Sequence, residues 1–131
     1  MNRFPFLSFR QTQVLLRVSL AIIFLAHAIV RICLPGSIQT FSVFLANKGV
    51  AFSKVIVWAI TVFEVAGGVL LLLGKFTKLI AAGFIALLIT GVVLIHAQMG
   101  WFVGEHGTGG CEYSFILVIA FVVIAAADKK K

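Results

Sequence analysis

The sequence FEVAGGVLLLLGKFTK, from Phe63 to Lys78, decides the fold of this chain. It places one carboxylate, Glu64, inside an apolar run and closes that run with Gly74 and two lysines. If the run crosses a membrane as a helix, Glu64 lies about ten residues from the lysine-flanked end, roughly 15 Å, and so near the middle of the bilayer. A carboxyl group at that depth is costly and needs polar partners or water. The other apolar segments are the candidates to supply these partners.

The composition places the chain among integral membrane proteins. Of its 131 residues 62% are hydrophobic and 11% are charged, which leaves too few polar side chains to cover a soluble core. The formal net charge of +7 does not indicate a nucleic-acid-binding protein, because the basic residues flank apolar runs and form no separate basic stripe. We therefore predict a single transmembrane domain, residues 1–131, with the lipid bilayer as its partner and no nucleic acid.

Four apolar segments predict the architecture, since a helix of about 20 apolar residues crosses a bilayer. The stretch between the first two segments, residues 35–53, is too polar to span and too apolar for a plain loop. Its aromatic residues predict a short half-helix on the outer surface. The predicted fold class is all-α, an integral membrane four-helix bundle with a short interfacial half-helix between the first two spans. The predicted spans are about 14–34, 55–74, 79–99 and 110–127.

Lysine and arginine are divided unequally between the two ends of this bundle. Eight of the eleven lie at the end that holds both chain termini, and the other three are Arg31, Lys48 and Lys54. Cytoplasmic ends of spans carry the excess of basic residues. The distribution predicts that both termini are cytoplasmic.

Ionisable side chains from all four spans are predicted to collect in the outer half of the bundle. Counted from the cytoplasmic ends, the depths are about 15 Å for Glu64, about 20 Å for His27, about 22 Å for Glu112 and about 26 Å for Arg31 and His96. Arg31 would hold Glu112 or Glu64 in a charge-assisted pair. Histidine exchanges protons near neutral pH, so His27 is a candidate proton carrier. The hypothesis is a polar pocket open to the outer leaflet; the alternative is that these groups only lock the helices in register.

The cysteines and histidines do not have the close spacing of a metal site, and we predict no metal. Cys33 and Cys111 fall at the outer ends of two spans, where an oxidising compartment would permit a disulfide. No CxxC motif indicates redox cycling. A disulfide and two free thiols both remain open.

Several motifs resemble those of the DoxX family of small four-helix bacterial membrane proteins. The resemblance rests on a histidine with a nearby basic residue, on a glutamate–diglycine motif, on a leucine-glycine-threonine-basic pattern and on a glycine–glutamate–tyrosine entry to the last helix. In this sequence these motifs are Phe24-Leu25-Ala26-His27 with Arg31, Glu64-Val65-Ala66-Gly67-Gly68, Leu72-Leu73-Gly74-Lys75-Phe76-Thr77-Lys78, and Gly109-Gly110-Cys111-Glu112-Tyr113. The sequence departs from the family pattern at Ala28, where glycine is common, and at Cys111.

The resemblance implies a protein of the bacterial inner membrane that forms the membrane part of a quinone-linked sulfur or thiol oxidoreductase. Together with the predicted pocket, it predicts Glu64, His27, Arg31 and Glu112 as catalytic residues. His27, Arg31 and His96 are the predicted cofactor-binding residues, with a quinone as the cofactor and a larger membrane complex or redox partner. The alternative is a non-catalytic accessory or assembly subunit that packs through its glycine faces. A transporter is less favoured, since no broken helix or inverted repeat is evident.

Overall fold

The computed structural model describes residues 6–104 and 109–128, and this part of the chain is helical with no β-strand. The all-helical fold is therefore confirmed. One short 3₁₀ turn, His96–Met99, separates the last two helices. The α-helices are α1 Phe9–Cys33, α2 Ser37–Asn47, α3 Ser53–Leu73, α4 Thr77–Leu94 and α5 Glu112–Ala127.

Helix α1 begins five residues before the predicted start at residue 14. The cause is a capping box: the Ser8 hydroxyl accepts from the Gln11 backbone N–H, and the Gln11 side chain accepts from the Ser8 N–H. These two bonds satisfy backbone donors that the helix start would leave unpaired. The predicted stop is confirmed, since Leu34 is extended with ψ of 116°, as the residue before Pro35 must be.

Helix α4 ends earlier than the predicted span of residues 79–99. Its last residue is Leu94, and the chain continues through the 3₁₀ turn. In that turn His96 Nδ1 lies 3.0 Å from the Gly109 backbone carbonyl oxygen, and the Gln98 side-chain oxygen Oε1 accepts from the Lys48 ammonium group. Two polar side chains that a regular helix would point to different sides thus both find partners. The interfacial helix α2 is present where it was predicted.

Within the described residues three helices, α1, α3 and α4, are long and apolar enough to cross a membrane. Helix α5 is equally apolar but has 16 residues, about 24 Å, which is shorter than a typical hydrocarbon core. Its crossing of the membrane stays a prediction. The outward surfaces carry large apolar side chains, as lipid-facing helices do; examples are Ile22, Val62, Leu79 and Phe115, which are all exposed.

The bundle has a packed half and an open half. Helix α1 packs on α3 and α5, α4 packs on α5, and α2 lies against α3. At the end near the chain termini the centre is filled by aromatic rings. The ring centroids of Phe24 and Phe84 are 4.3 Å apart with the rings tilted, and those of Phe84 and Phe121 are 5.1 Å apart with the rings stacked. Such offset aromatic packing contributes beyond the area it buries. This aromatic core borders the candidate site, since Phe24 also lines the cavity.

Candidate functional site

A cavity of about 400 Å³ occupies the other half of the bundle, away from the chain termini. All five helices contribute to its walls, which are predominantly apolar. Its volume falls within the range of small-molecule sites, and a few convergent polar groups in an apolar wall are typical of them. The apolar lining includes Phe24, Phe41, Leu45, Ile60, Leu87 and Leu117, and the polar lining is His27, Arg31, Glu64, Thr90, His96, Tyr113 and Ser114.

The centre of the polar lining is an ion pair between α1 and α3. Arg31 Nη1 lies 2.6 Å from Glu64 Oε2 and also donates to the Thr61 hydroxyl at 3.0 Å. Thr61 in turn donates to the Val57 carbonyl one turn earlier, at 2.7 Å. Glu64 and Thr61 are buried. Of the two predicted partners of Arg31, Glu64 is therefore the one that the arginine holds.

The packing register of α1 on α3 explains how this pair forms. Gly68 faces Leu25, and Gly74 faces Arg17 nearer the termini, so the helices are antiparallel and Thr61 falls opposite Arg31. Glu64 lies one turn closer to the packed half, and the long arginine side chain spans that turn. Residue counting had placed the two groups about 11 Å apart in depth. That count started each span from its own predicted end, whereas in the structure the two backbone positions differ by about one turn, and the side chain covers that distance.

His27 lies on the same face of α1 as Arg31, one turn earlier, because positions four apart in a helix are neighbours. It lines the cavity but is also exposed on the bundle surface. The structure thus brings His27, Arg31 and Glu64 to one wall. This is the part of the predicted constellation that forms as a group.

His96 and Glu112 have different surroundings. His96 lines the cavity from the 3₁₀ turn, and its Nδ1 contacts the Gly109 carbonyl. Glu112 is the first residue of α5, and its Oε1 accepts from the Val103 backbone N–H at 2.8 Å. It is not among the residues that line the cavity. Its contact joins the start of α5 to Val103, and its catalytic role stays a prediction.

Three polar cavity residues were missed by the sequence analysis: Thr90, Tyr113 and Ser114. Ser114 and Leu117 are both buried on α5 and lie three residues apart, which is one helical face. That spacing could have indicated the inward face of α5 from the sequence. It was not recognised because nearly every other residue of this helix is apolar, so no stripe of polar residues marks the side that faces inward.

Three glycines of α3 and α4 pack against side chains of other helices of the same chain. Gly67 packs against the Phe84 ring, Gly68 against Leu25, and Gly83 against the Phe63 ring. Gly91 differs, since it lines the cavity and a methyl group there would meet nothing within 4 Å. The close approach that small residues permit therefore joins helices of this chain to one another.

Among residues 6–104 and 109–128 no group of three or more His, Cys, Asp or Glu side chains is placed to hold a metal ion. Cys33, which is exposed, and Cys111, at the start of α5, are free thiols in this structure.

The site combines a guanidinium, a carboxyl group, an imidazole and a phenol with apolar walls. This set offers hydrogen-bond donors beside apolar walls. No curated protein and no solved structure matches the chain. The profile of the DoxX family matches residues 12–97, about two thirds of the sequence, including the four helices that carry His27, Arg31 and Glu64 or cover them. This chain belongs to the DoxX family.

Proposed function

We propose that this chain is the membrane-embedded subunit of a quinone- or thiol-linked oxidoreductase, and that its cavity binds the quinone. The observation that carries the proposal is the Arg31–Glu64 pair, at 2.6 Å, in the wall of an otherwise apolar cavity with His27 one turn away. Ionisable side chains within membrane helices mark functional sites by default, because burying them without a purpose is costly.

The charge balance of the site favours a neutral ligand over an anion. The guanidinium of Arg31 is matched by the Glu64 carboxylate, so the pair offers hydrogen-bond donors with little net charge. An anion bound at Arg31 would bring a second negative charge close to the Glu64 carboxylate, and like charges at short range repel each other. A quinone ring needs only donors at its carbonyl oxygens and apolar walls around the rest, which Arg31, Phe41 and Leu87 offer.

The reaction would be the oxidation of two thiols to a disulfide, with two electrons and two protons passing to the quinone to give the quinol. The thiols come from a partner protein or a small thiol substrate. The quinone, when bound, supplies the electron-accepting ring. Arg31 would orient a ring oxygen, while Glu64 and His27 would pass protons toward it, since both types of side chain bind and release protons.

For the location we propose the bacterial inner membrane, with both termini cytoplasmic and the cavity near the outer leaflet. The basic residues support this orientation, with eight at the terminal end and three at the other.

Glu64→Gln tests the proposal, because it keeps the shape and much of the hydrogen bonding but removes the charge and the exchangeable proton. We expect normal abundance in the membrane and a loss of quinone reduction of at least about 100-fold, the lower range for a proton-transfer group. Asp128→Asn, at the far end of α5, is the matched control and should keep full turnover. Wild-type turnover by Glu64→Gln at normal abundance would exclude Glu64 from proton handling.

A second function, an accessory subunit without catalysis, is favoured by one observation. The Arg31–Glu64–Thr61 contacts join α1 to α3, which is what a purely structural pair would do. The double variant Arg31→Met with Glu64→Leu distinguishes the two functions, because an apolar pair often replaces a buried ion pair at no loss of stability. An accessory subunit would keep the complex active with this variant. A catalytic subunit would assemble and be inactive.

A further inference from the structure

A second, more open groove of about 580 Å³ adjoins the cavity between α1 and the start of α5. Four residues line both spaces: Ile23, His27, Arg31 and Tyr113. The two spaces are therefore adjacent and share these side chains as a common wall, and its polar members are the imidazole, the guanidinium and the phenol. His27 and Tyr113 are both exposed, as expected for side chains at an opening.

The remaining lining of the groove belongs to the outside of the bundle. It is formed by Ala26 and Val30 of α1 and by Ser37 at the start of α2. Val30 is 58% exposed. From Ile23 to Arg31 the groove runs between about 15 Å and about 3 Å from the C-terminal end of α1. A helix of this length and hydropathy crosses the bilayer, so the groove opens at the depth of the lipid tails of that leaflet.

The side of the cavity toward the membrane surface is covered. Phe41 and Leu45 of α2 line it there, and the Arg31 guanidinium lies 5.2 Å from the centroid of the Phe41 ring. Beyond them Lys48 donates to Gln98 and so links α2 to the 3₁₀ turn. The aqueous side is thus covered by apolar groups and linked by a hydrogen bond. On the lipid side the groove borders the cavity at His27 and Tyr113, which are both exposed.

We propose that the cavity is loaded sideways from the bilayer, through the groove between α1 and α5, by a ligand with a prenyl chain. The proposal rests on the function proposed above. The ring lies in the cavity beside Arg31 and Glu64, and the chain lies in the groove along Ala26 and Val30. A hydrocarbon chain matches this groove because its lipid-side wall is apolar and its other end opens into lipid. Tyr113 and His27 stand where ring and chain meet.

Bulky substitutions in the groove test this route. Ala26→Trp and Val30→Trp fill the place of the chain, and neither residue lines the cavity. Ile29→Trp is the matched control, since Ile29 is 53% exposed on the same helix but lies outside the groove. Binding to each purified protein in lipid nanodiscs is measured for two probes, a long-chain prenylated benzoquinone and the same benzoquinone without its chain.

We expect both groove variants to bind the long-chain quinone roughly tenfold or more weakly, equal to 1.4 kcal/mol or more. Their affinity for the chainless quinone should stay within about twofold of wild type, a difference of about 0.4 kcal/mol. Ile29→Trp should bind both probes as the wild type does. Two variants are used because either alone carries the test if the other does not fold.

Three results would contradict either the lateral route or the proposed function, and each can be told apart from the other two. Unchanged long-chain affinity in both groove variants overturns the lateral route and leaves the quinone pocket standing. Equal loss of both probes also overturns the route, since a chain-specific site must spare the chainless ring. If the wild type binds neither probe, the proposed function itself fails.

Discussion

At Gly68 the backbone of α3 comes so close to α1 that a side chain has no room. A methyl group placed there would lie 2.6 Å from Leu25 Cγ, well inside van der Waals contact. The contact lies one turn from Glu64, on the interface that the Arg31 pair spans. The position of the ion pair therefore depends on a residue that has no chemistry of its own.

Gly68→Ala should destabilise the protein by about 1–3 kcal/mol, the usual cost of overpacking. Thermal unfolding in detergent measures it. Gly91→Ala is the control and should not destabilise the protein. Nothing lies within 4 Å of that position, and alanine favours a helix over glycine by up to about 1 kcal/mol.

The double variant Gly68→Ala with Leu25→Ala identifies the cause. If the clash with Leu25 is responsible, removing the leucine side chain should recover part of the loss, which appears as a coupling between the two substitutions. Strict additivity of the two losses would contradict this account of the interface.

At the scale of elements, α2 is the helix that covers the cavity on the side toward the membrane surface. It packs mainly on α3, and at its C-terminal end Lys48 reaches Gln98 and lies 5.8 Å from the centroid of the Phe44 ring. Exposed charge-assisted contacts contribute at most about 1 kcal/mol. The link therefore adds little to global stability but holds one helix against one loop.

Lys48→Met should raise backbone hydrogen exchange within Ser37–Asn47 and leave exchange in α1 and α4 unchanged, because methionine keeps the apolar stem but cannot donate to Gln98. Hydrogen exchange with mass spectrometry measures this effect segment by segment. Lys54→Met, at an exposed lysine at the start of α3, is the control and should change nothing in α2. Identical exchange in the two variants would show that the Lys48 link does not hold the helix.

At the scale of the whole molecule, the bundle has a packed half near the termini and an open half that contains the cavity. The rings of Phe24, Phe84 and Phe121 fill the half near the termini, and this core allows the other half to keep a cavity without collapsing. A cavity of this size would be destabilising in a small protein without such a core, because each unfilled volume loses packing contacts.

Topology is the prediction that belongs to this scale. A cytoplasm-active reporter fused after Lys131 should give signal, and one fused after Met99 should not, because the spans then alternate in direction. The short α5 would have to stand nearly upright or thin the bilayer locally to cross. Absence of signal from both fusions would show that α5 ends on the side where it begins, and the model of four spans would be wrong.

Much of the fold could be predicted from the sequence because it depends on local chemistry. Apolar runs of sufficient length specify helices in lipid, where each backbone group must be satisfied within its own segment. Pro35 and Gly74 mark helix ends for reasons that lie within a few residues. Glu64 could likewise be identified from its neighbours in the sequence, because a carboxylate within an apolar run needs a polar partner whatever the tertiary structure is.

The tertiary structure alone decided which groups meet. The choice of Glu64 over Glu112 as the partner of Arg31 follows from the register of α1 on α3, and that register depends on the contacts of Gly68 and Gly74 across the two helices. The inward face of α5 was equally hidden, because an evenly apolar helix carries no preferred side in its sequence. Lipid surrounds such a helix without selecting a face, so only packing against its neighbours turns Tyr113 and Ser114 toward the cavity.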